Sequence, residues 1–398
     1  MEVFVGIALI SFVFFILIPG IGAFLVRNRW RSFRRRIFSD SLLPMVRYEQ
    51  LYKKPVGFIG YFRFLGNLEA IQGDDTIWIR NGNISLSAEL EKVYVYMLPS
   101  MSSTEIEGAI EQNEEALPDE MPRRVSWSKI FSLPEGTRIF LSGALYSERG
   151  QGVFRSNNRH PLTVVIYDGD QETILRRSIW GGRQRNEYWN PVTPASLITG
   201  SASLLLLSYN LFQTAAMRFA AIASLTLSLT PLIPFLPPGL LFFFFYRYFW
   251  KKGRFSRAER DLIRLPLRFF DEKIIEDGMT STFQDGKQYG VRLFHDRQTA
   301  IEAMQTGKIR ETSLRTMIKN NGRFFVFGTR ERDGGIDRFV KSTDPMVELL
   351  LIPGDPTNIS NECENYARTN EVLAGLAFAM GYIINFVCLF ALLTIWLR

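Results

Sequence analysis

The chain has 398 residues, of which 46% are hydrophobic and 14% aromatic, and its formal net charge is +7 at pH 7. The apolar residues gather in charge-free blocks that are too long for the core helices of a soluble protein, which indicates an integral membrane protein. Two Cys and two His without a four-ligand spacing exclude a usual zinc site, and the basic excess lacks the aromatic-interleaved motif of nucleic-acid binders. We therefore expect no metal, cofactor or nucleic acid.

Four charge-free blocks each reach the length of about 20 residues that a membrane-spanning helix needs. They cover residues 3–26, 194–213, 220–245 and 372–397. The first block begins without Lys or Arg, which favours a retained anchor over a cleaved signal peptide. The third block contains four prolines between residues 231 and 238, and these predict a bent exit at the cytoplasmic boundary.

Basic residues follow the first and third blocks and are scarce between the second and third. The positive-inside rule therefore predicts both termini outside and two cytoplasmic loops, 27–193 and 246–371, as in a bacterial inner-membrane protein. The same basic residues are expected to contact anionic lipid head groups. They are Arg27, Arg29, Arg31, Arg34, Arg35, Arg36, Lys251, Lys252, Arg254 and Arg257.

Both loops contain short β-rich runs separated by Gly, Asn and Asp, such as "DTIWIRNGNISLS", "GTRIFLSGALY", "TILRRSIWGG" and, in the second loop, "RFFVFGT". Each loop is predicted to form a small barrel or sandwich of about five strands plus a helix, with an oligonucleotide-binding-type barrel as one candidate. The acidic segment 104–120 predicts a solvated loop inserted into the first domain.

Each half of the chain has the order helix, basic cluster, β-rich domain, helix. The stretch "RIFLSGALYSERGQGVF" from Arg138 aligns without a gap on "RFFVFGTRERDGGIDRF" from Arg323, and the second apolar block then overlies the fourth. This shared order favours an internal duplication, although a chance alignment is the alternative because the identity is low.

The stretch "TVVIYDGDQ" raises the question of a metal site, because Asp168 and Asp170 flank a glycine. In the repeat register Asp170 aligns with Asp355, but Asp168 aligns with Pro353. Proline cannot supply the carboxylate ligand that a metal site needs, whereas Gly, Asp and Pro all suit turns. The sequence therefore predicts that both stretches are strand-ending turns.

The chain shows no recognised catalytic motif, and His160 and His295 are predicted to be surface or turn residues. The apolar blocks lack ionisable residues, and Tyr209, Asn210 and Asn385 are predicted to form hydrogen bonds across helices. Small residues four apart predict close helix packing of the second and fourth helices, with each other or with a partner. These residues are Ser196, Gly200, Gly375 and Ala379.

These patterns predict an α+β integral membrane protein with four transmembrane helices and two small β-rich cytoplasmic domains related by duplication. The leading hypothesis is a non-enzymatic scaffold or assembly subunit, which binds another membrane protein or a second copy of itself. One alternative is a transporter or lipid-handling protein that uses the Pro-rich third helix. The other alternative is a membrane-anchored enzyme whose site has no known motif.

Overall fold

A computed structural model of the chain describes residues 2–52, 56–99, 122–130, 132–148, 150–184, 188–270, 275–283, 286–304, 308–309, 322–333 and 336–397. The predicted acidic loop 104–120 lies outside these residues. The chain divides into two compact units. The helical unit comprises Met1–Ser32, Arg185–Arg257 and Glu364–Arg398, and the globular unit comprises Phe33–Gln184 and Ala258–Cys363.

The helices are distributed over both units. They are α1 Glu2–Phe12, α2 Ile18–Asp40, α3 Tyr48–Tyr52, α4 Ile174–Gln184, α5 Val192–Phe212, α6 Arg218–Ser228, α7 Gly239–Ile263, α8 Arg297–Glu302 and α9 Pro356–Trp396. A π-helical turn, Val13–Leu17, joins α1 directly to α2, so that helical backbone extends from Glu2 to Asp40 with a local change of hydrogen bonding at this turn.

Three helical segments of the described chain are long and apolar enough to cross a membrane: Glu2–Asp40, Val192–Phe212 and Pro356–Trp396. The prediction of four such helices is therefore wrong. The third apolar block, 220–245, is divided between α6 and α7 by a stretch with a short 3-10 turn at Ile233–Phe235. Its prolines lack the N–H group that a continuous helix requires, which explains the interruption.

The strands all belong to the globular unit. They are β1 Gly57–Gln72, β2 Thr76–Asn81, β3 Ile84–Glu89, β4 Tyr94–Met97, β5 Arg123–Ser126, β6 Arg138–Glu148, β7 Gln151–Arg155, β8 Thr163–Tyr167, β9 Thr280–Thr282, β10 Gln288–Phe294, β11 Lys308–Ile309, β12 Phe324–Asp333, β13 Ile336–Val340 and β14 Leu350–Pro353. We call β1 to β8 module 1 and β9 to β14 module 2. The predicted α+β character with β sheets is confirmed.

Module 1 contains a closed five-stranded ring. The strands β1, β2 and β3 form an antiparallel meander, β3 pairs in parallel with β7, and β6 pairs with both β7 and β1. The strands β8, β4 and β5 extend the sheet from the free half of β6. Phe64, Ile79, Leu86 and Phe154 are buried at 2% exposure or less in the core of this module. The ring is a small barrel, which is one of the two architectures predicted from the sequence.

Module 2 is an open sheet that repeats part of this pairing pattern. In both modules a central strand pairs with an antiparallel hairpin partner, β6 with β7 and β12 with β13. Ala144 pairs with Arg155 and Thr329 with Val340, so the two hairpins coincide in the gapless register predicted from the sequence. The next strand, β8 or β14, also lies antiparallel to the central strand, but its pairing is displaced by about two residues between the modules.

The stretch "TILRRSIWGG" forms helix α4, not the strand that its β-branched residues predict. Ile174 and Ile179 are buried at 0% and 3% exposure, and the neighbouring Leu175 and Trp180 are buried as well. Leu175 and Ile179 are four residues apart and so share one face of a helix, whereas a strand would place the neighbouring buried residues Ile174 and Leu175 on opposite faces. The strand prediction for this stretch is therefore wrong.

Candidate functional site

Pro19 interrupts the hydrogen bonding of the first long helix. Proline has no N–H group to donate to the carbonyl oxygen of Phe15, four residues earlier. In the π-helical turn Ile18 donates to the oxygen of Val13, so the usual donor to Phe14 is also diverted. Two carbonyl oxygens inside an apolar helix therefore need other donors.

Side chains of the segment that leads into α5 supply these donors. The Ser196 hydroxyl donates to the Phe14 oxygen at 2.6 Å, and the Tyr188 hydroxyl donates to the Phe15 oxygen at 2.9 Å. The Asn190 amide donates to the Pro19 oxygen at 3.4 Å. Polar residues near the start of the second apolar block thus form hydrogen bonds with the carbonyl oxygens that lack a helical donor in the first block.

The second break, between α6 and α7, is satisfied by one side chain of α9. Asn385 is 2% exposed; its amide nitrogen donates to the oxygens of Ile233 and Leu236, each at 2.6 Å. Its side-chain oxygen accepts a hydrogen bond from the Gly239 amide at 2.9 Å. The predicted cross-helix hydrogen bonding of Asn385 is confirmed, whereas the side chains of Tyr209 and Asn210 are exposed.

The two breaks are contacted from positions that align in the repeat predicted from the sequence. In its gapless register Ser196 aligns with Gly381 and Gly200 with Asn385. A Cβ atom at Gly200 would lie 2.6 Å from the Phe14 Cβ, and one at Gly381 would lie 3.1 Å from the Gly239 oxygen. Ser196 and Gly200 therefore contact the first apolar segment, and Gly381 and Asn385 contact the third.

Of the four residues predicted for close helix packing, two pack within the chain and two do not. Ser196 and Gly200 contact the first helix at the π-helical turn, not the fourth apolar block. Gly375 and Ala379 lie on an exposed face of α9, and a Cβ atom at Gly375 would meet no atom within 4 Å. Their packing against a partner stays a prediction.

Gly200 and Gly375 offer a matched test of this difference in helix packing. We expect Gly200→Ala to destabilise the helical unit by about 1 to 3 kcal/mol, because the added methyl group overpacks the contact with Phe14. Gly375→Ala should be neutral or stabilising by up to about 1 kcal/mol, because alanine is the better helix former and space is available. Thermal unfolding of both variants in detergent would measure the difference, and equal shifts would contradict the assignment.

Of the ten predicted head-group residues, four are buried or half-buried and six are exposed. Arg254 is buried at 9% exposure, with its guanidinium carbon 4.6 Å from the centre of the Trp250 ring, and Arg257 forms a two-pronged ion pair with Glu371. Arg34 and Arg36 are half-buried. The remaining six are exposed to solvent. These are Arg27, Arg29, Arg31, Arg35, Lys251 and Lys252.

Asp170 and Asp355, which align in the predicted repeat register, lie in turns. Gly169 and Gly354 have φ values of +69° and +108°, which glycine adopts readily. Asp170 accepts a hydrogen bond from the Glu172 amide at 3.4 Å, and Asp355 accepts one from the Thr357 amide at 2.9 Å. These contacts fit the strand-ending turns that the sequence predicts.

Module 1 and module 2 are joined by an ion pair between a buried arginine and a partly exposed aspartate. Arg63, on β1, is 3% exposed, and its guanidinium donates to both carboxylate oxygens of Asp344, which lies between β13 and β14. The Nη1–Oδ1 distance is 2.9 Å, and the Arg63 Nε donates to the Leu43 oxygen at 2.6 Å. Such two-pronged pairs fix both distance and orientation.

A second buried guanidinium lies in the same region. The Arg268 side chain is fully buried, donates to the oxygens of Leu265 and Met346, and lies 4.3 Å from the centre of the Phe269 ring. Its Nη1 atom is 3.8 Å from the Glu348 carboxylate. Burial lowers the pKa of Arg268, and the charge of Glu348 opposes this shift.

Asp40, the last residue of α2, forms a further buried polar cluster in module 1. It is fully buried, accepts a hydrogen bond from the Ser142 hydroxyl, and its Oδ1 atom lies 3.3 Å from Nε2 of His160. The His160 ring packs against Tyr61, with 5.3 Å between ring centres. Burial raises the pKa of Asp40, whereas the Ser142 hydrogen bond and the charge of His160 lower it. His160 is therefore partly exposed in the loop before β8, as a turn residue would be, and it lies beside a carboxylate that the sequence did not indicate.

The described residues contain no group of three or more His, Cys, Asp and Glu side chains that could hold a metal ion. Cys363 is buried and Cys388 exposed, and both are free thiols. No known protein family, curated protein or solved structure matches the chain.

Proposed function

We propose that the chain is a membrane-anchored scaffold, built by duplication of one unit with the order helix, β-rich module, helix. The coincident hairpin registers of the two modules and the equivalent contacts at the two helix breaks support the duplication. The globular unit is the part that binds partners, and the apolar helices retain it at the bilayer.

The observation that carries this proposal is the ion pair between Arg63 and Asp344. Its Arg63 side chain is 3% exposed and its Asp344 side chain 22% exposed, and the pair joins the two modules in a fixed orientation. The neighbouring Arg268 contacts add to the same network. A scaffold benefits from such a connection, because two fixed modules present one preorganised surface to a partner.

The membrane surface is the second proposed partner. The six exposed basic residues would contact anionic head groups, each contributing about 1 kcal/mol near the surface. Their position after apolar segments favours a location of the globular unit in the cytoplasm, with both termini outside, as in a bacterial inner membrane. Arg254 and Arg257 contribute less to this binding, since Arg254 is buried and Arg257 is paired with the Glu371 carboxylate.

The scaffold proposal predicts a stable complex after extraction in a mild detergent. Light scattering coupled to size-exclusion chromatography should give a protein mass of at least twice the 45.8 kDa of one chain, from a second copy or another protein. Asp344→Asn should reduce this mass toward that of one chain, because the two modules lose their fixed orientation. Wild-type protein that runs as a single chain would contradict the proposal.

A lipid-handling or transport function is the second candidate, and the matched helix breaks favour it. Interrupted helices at equivalent positions of two repeats form the substrate sites of many transporters. Here, however, the freed carbonyl oxygens of Phe14 and Ile233 already accept hydrogen bonds from side chains of the chain itself. Pro234→Ala together with Pro237→Ala should abolish flux in reconstituted vesicles if this function is correct, and unchanged flux would exclude the Pro-rich break as its site.

A further inference from the structure

A short sequence motif recurs in helices α2 and α7. The stretch "FLVRNRWR", residues 24–31, aligns without a gap on "FFYRYFWK", residues 244–251. Phe, Arg and Trp coincide at the first, fourth and seventh positions, and Arg31 meets Lys251 at the eighth. Each stretch starts in the last residues of an apolar block and ends beyond it, so it has the same place in both halves of the predicted repeat. We call it the boundary motif.

The structure exposes the same members of the boundary motif in both helices. Phe24 and Phe244 are 68% and 56% exposed. The basic residues at the fourth and eighth positions are exposed in both helices as well. The tryptophan turns inward instead. Trp30 is 3% exposed, and Trp250 is half-buried, with its ring stacked on that of Tyr246 at 5.9 Å between centres.

The exposed members lie on one face of each helix. Residues three or four apart are neighbours on a helix surface, because a turn contains 3.6 residues. Arg27 follows Phe24 by three residues, and Arg31 follows Arg27 by four. Arg247 and Lys251 have the same spacing after the phenylalanine of α7. Each helix therefore presents one aromatic ring and, within the next two turns, two cations that are neighbours.

A ligand for such a face combines apolar chains with a negative charge. The residues after the two phenylalanines, Leu25 and Phe245, are 56% and 45% exposed and enlarge the apolar part. Arg and Lys at the end of an apolar helix face place their stems along acyl chains and their charges among head groups. Neither helix supplies an anion of its own there, because α2 contains no Asp or Glu before Asp40 and α7 none before Glu259.

We propose that the two copies of the boundary motif are equivalent binding sites, each for one anionic phospholipid. The phosphate oxygens accept hydrogen bonds from both cations of a site, and the acyl chains contact its phenylalanine. Two charged donors on one phosphate give short, strong hydrogen bonds. These sites rest on the proposed function, because they require a duplicated chain whose apolar helices lie in a bilayer.

Two other exposed cations of the same helices serve as the matched control. Arg29 lies two residues after Arg27, so the two side chains point in different directions. The Nζ atom of Lys252 lies 4.5 Å from the centre of the Tyr248 ring, which gives this cation a contact within the chain. Both cations attract the bilayer through their charge, but neither belongs to a boundary motif.

Native mass spectrometry of the full-length protein in detergent counts the bound lipids. Wild-type protein should retain two molecules of phosphatidylglycerol per chain, and no zwitterionic phosphatidylethanolamine under the same conditions. Arg247→Gln with Lys251→Gln should retain one molecule, and further replacement with Arg27→Gln and Arg31→Gln should leave none. Loss of both cations should weaken binding at a site by about 30-fold, since each contributes about fivefold near the surface.

Arg29→Gln with Lys252→Gln removes the same charge as one motif pair and should still retain two lipids. Equal loss in this control would show that net charge alone binds the lipids and would overturn the proposal. So would equal retention of the two lipid types by wild-type protein, or displacement of phosphatidylglycerol by excess inorganic phosphate. Light scattering separates this result from the scaffold test, because a single chain with two bound lipids contradicts the scaffold but not the lipid sites.

Discussion

Replacement of Asp344 by Asn is expected to lower the free energy of unfolding of the globular unit by about 3 to 5 kcal/mol. The substitution removes the negative charge but leaves the Arg63 guanidinium buried at 3% exposure. The buried Arg268 lies near enough to act on the same charges, so the uncompensated positive charge becomes still less favourable. Urea unfolding of the full-length protein in detergent, monitored by tryptophan fluorescence, would measure the loss.

Lys341→Ala is the matched control for this variant. Lys341 also joins the two modules, through an ion pair with Glu172, but the two side chains are 50% and 30% exposed. Exposed pairs contribute about 0 to 1 kcal/mol, because water screens the charges and the side chains lose conformational freedom. A loss for Lys341→Ala as large as that for Asp344→Asn would show that burial does not distinguish the two pairs.

Asn385→Leu is expected to destabilise the helical unit by about 2 to 4 kcal/mol. Leucine has a similar volume but satisfies none of the three backbone groups that Asn385 binds, the oxygens of Ile233 and Leu236 and the amide of Gly239. Each buried polar group without a partner costs about 1 to 3 kcal/mol, reduced here by any alternative donors that the relaxed segment finds. Thermal unfolding in detergent provides the measurement.

Asn210→Leu serves as the control for this substitution, since Asn210 is exposed on α5. The same chemical change there should alter stability by no more than about 0.5 kcal/mol. Comparable losses at positions 210 and 385 would mean that the observed bonds of Asn385 do not hold the broken helix together.

Strands with short apolar runs that end at turn residues could be predicted from the sequence, and the longest strand could not. Such runs form β6, β8, β12 and β14. Strand β1 contains three glycines in 16 residues, and glycine is depleted in strands because it adds no side-chain packing. Its length is determined by the partner strands on both sides, which the local sequence does not contain.

The buried polar contacts were less predictable than the fold. Arg63 and Asp344 are far apart in the chain, as are Asp40 and His160, and no local motif connects either pair. The interruptions of the apolar helices were partly predictable from the sequence. The four prolines between residues 231 and 238 predicted a distortion of the helix. The hydrogen bonds from Asn385 to the distorted segment could not be predicted, because they depend on how α9 packs. The local sequence therefore indicates where a helix is interrupted, and tertiary contacts determine which groups form hydrogen bonds with the freed backbone.

The closed ring of module 1 sets an order for assembly during synthesis. Strand β1 emerges early from the ribosome, yet its partner β6 is translated much later, with Asn67 pairing to Arg138. The corresponding pairing in module 2, Phe294 with Phe324, joins residues much closer in sequence. Pairing between distant segments is slow, because the intervening chain must lose more conformational freedom first. The nascent N-terminal half must therefore wait with the β6-facing edge of β1 unpaired, whereas the C-terminal half can form its central strand pair soon after translation.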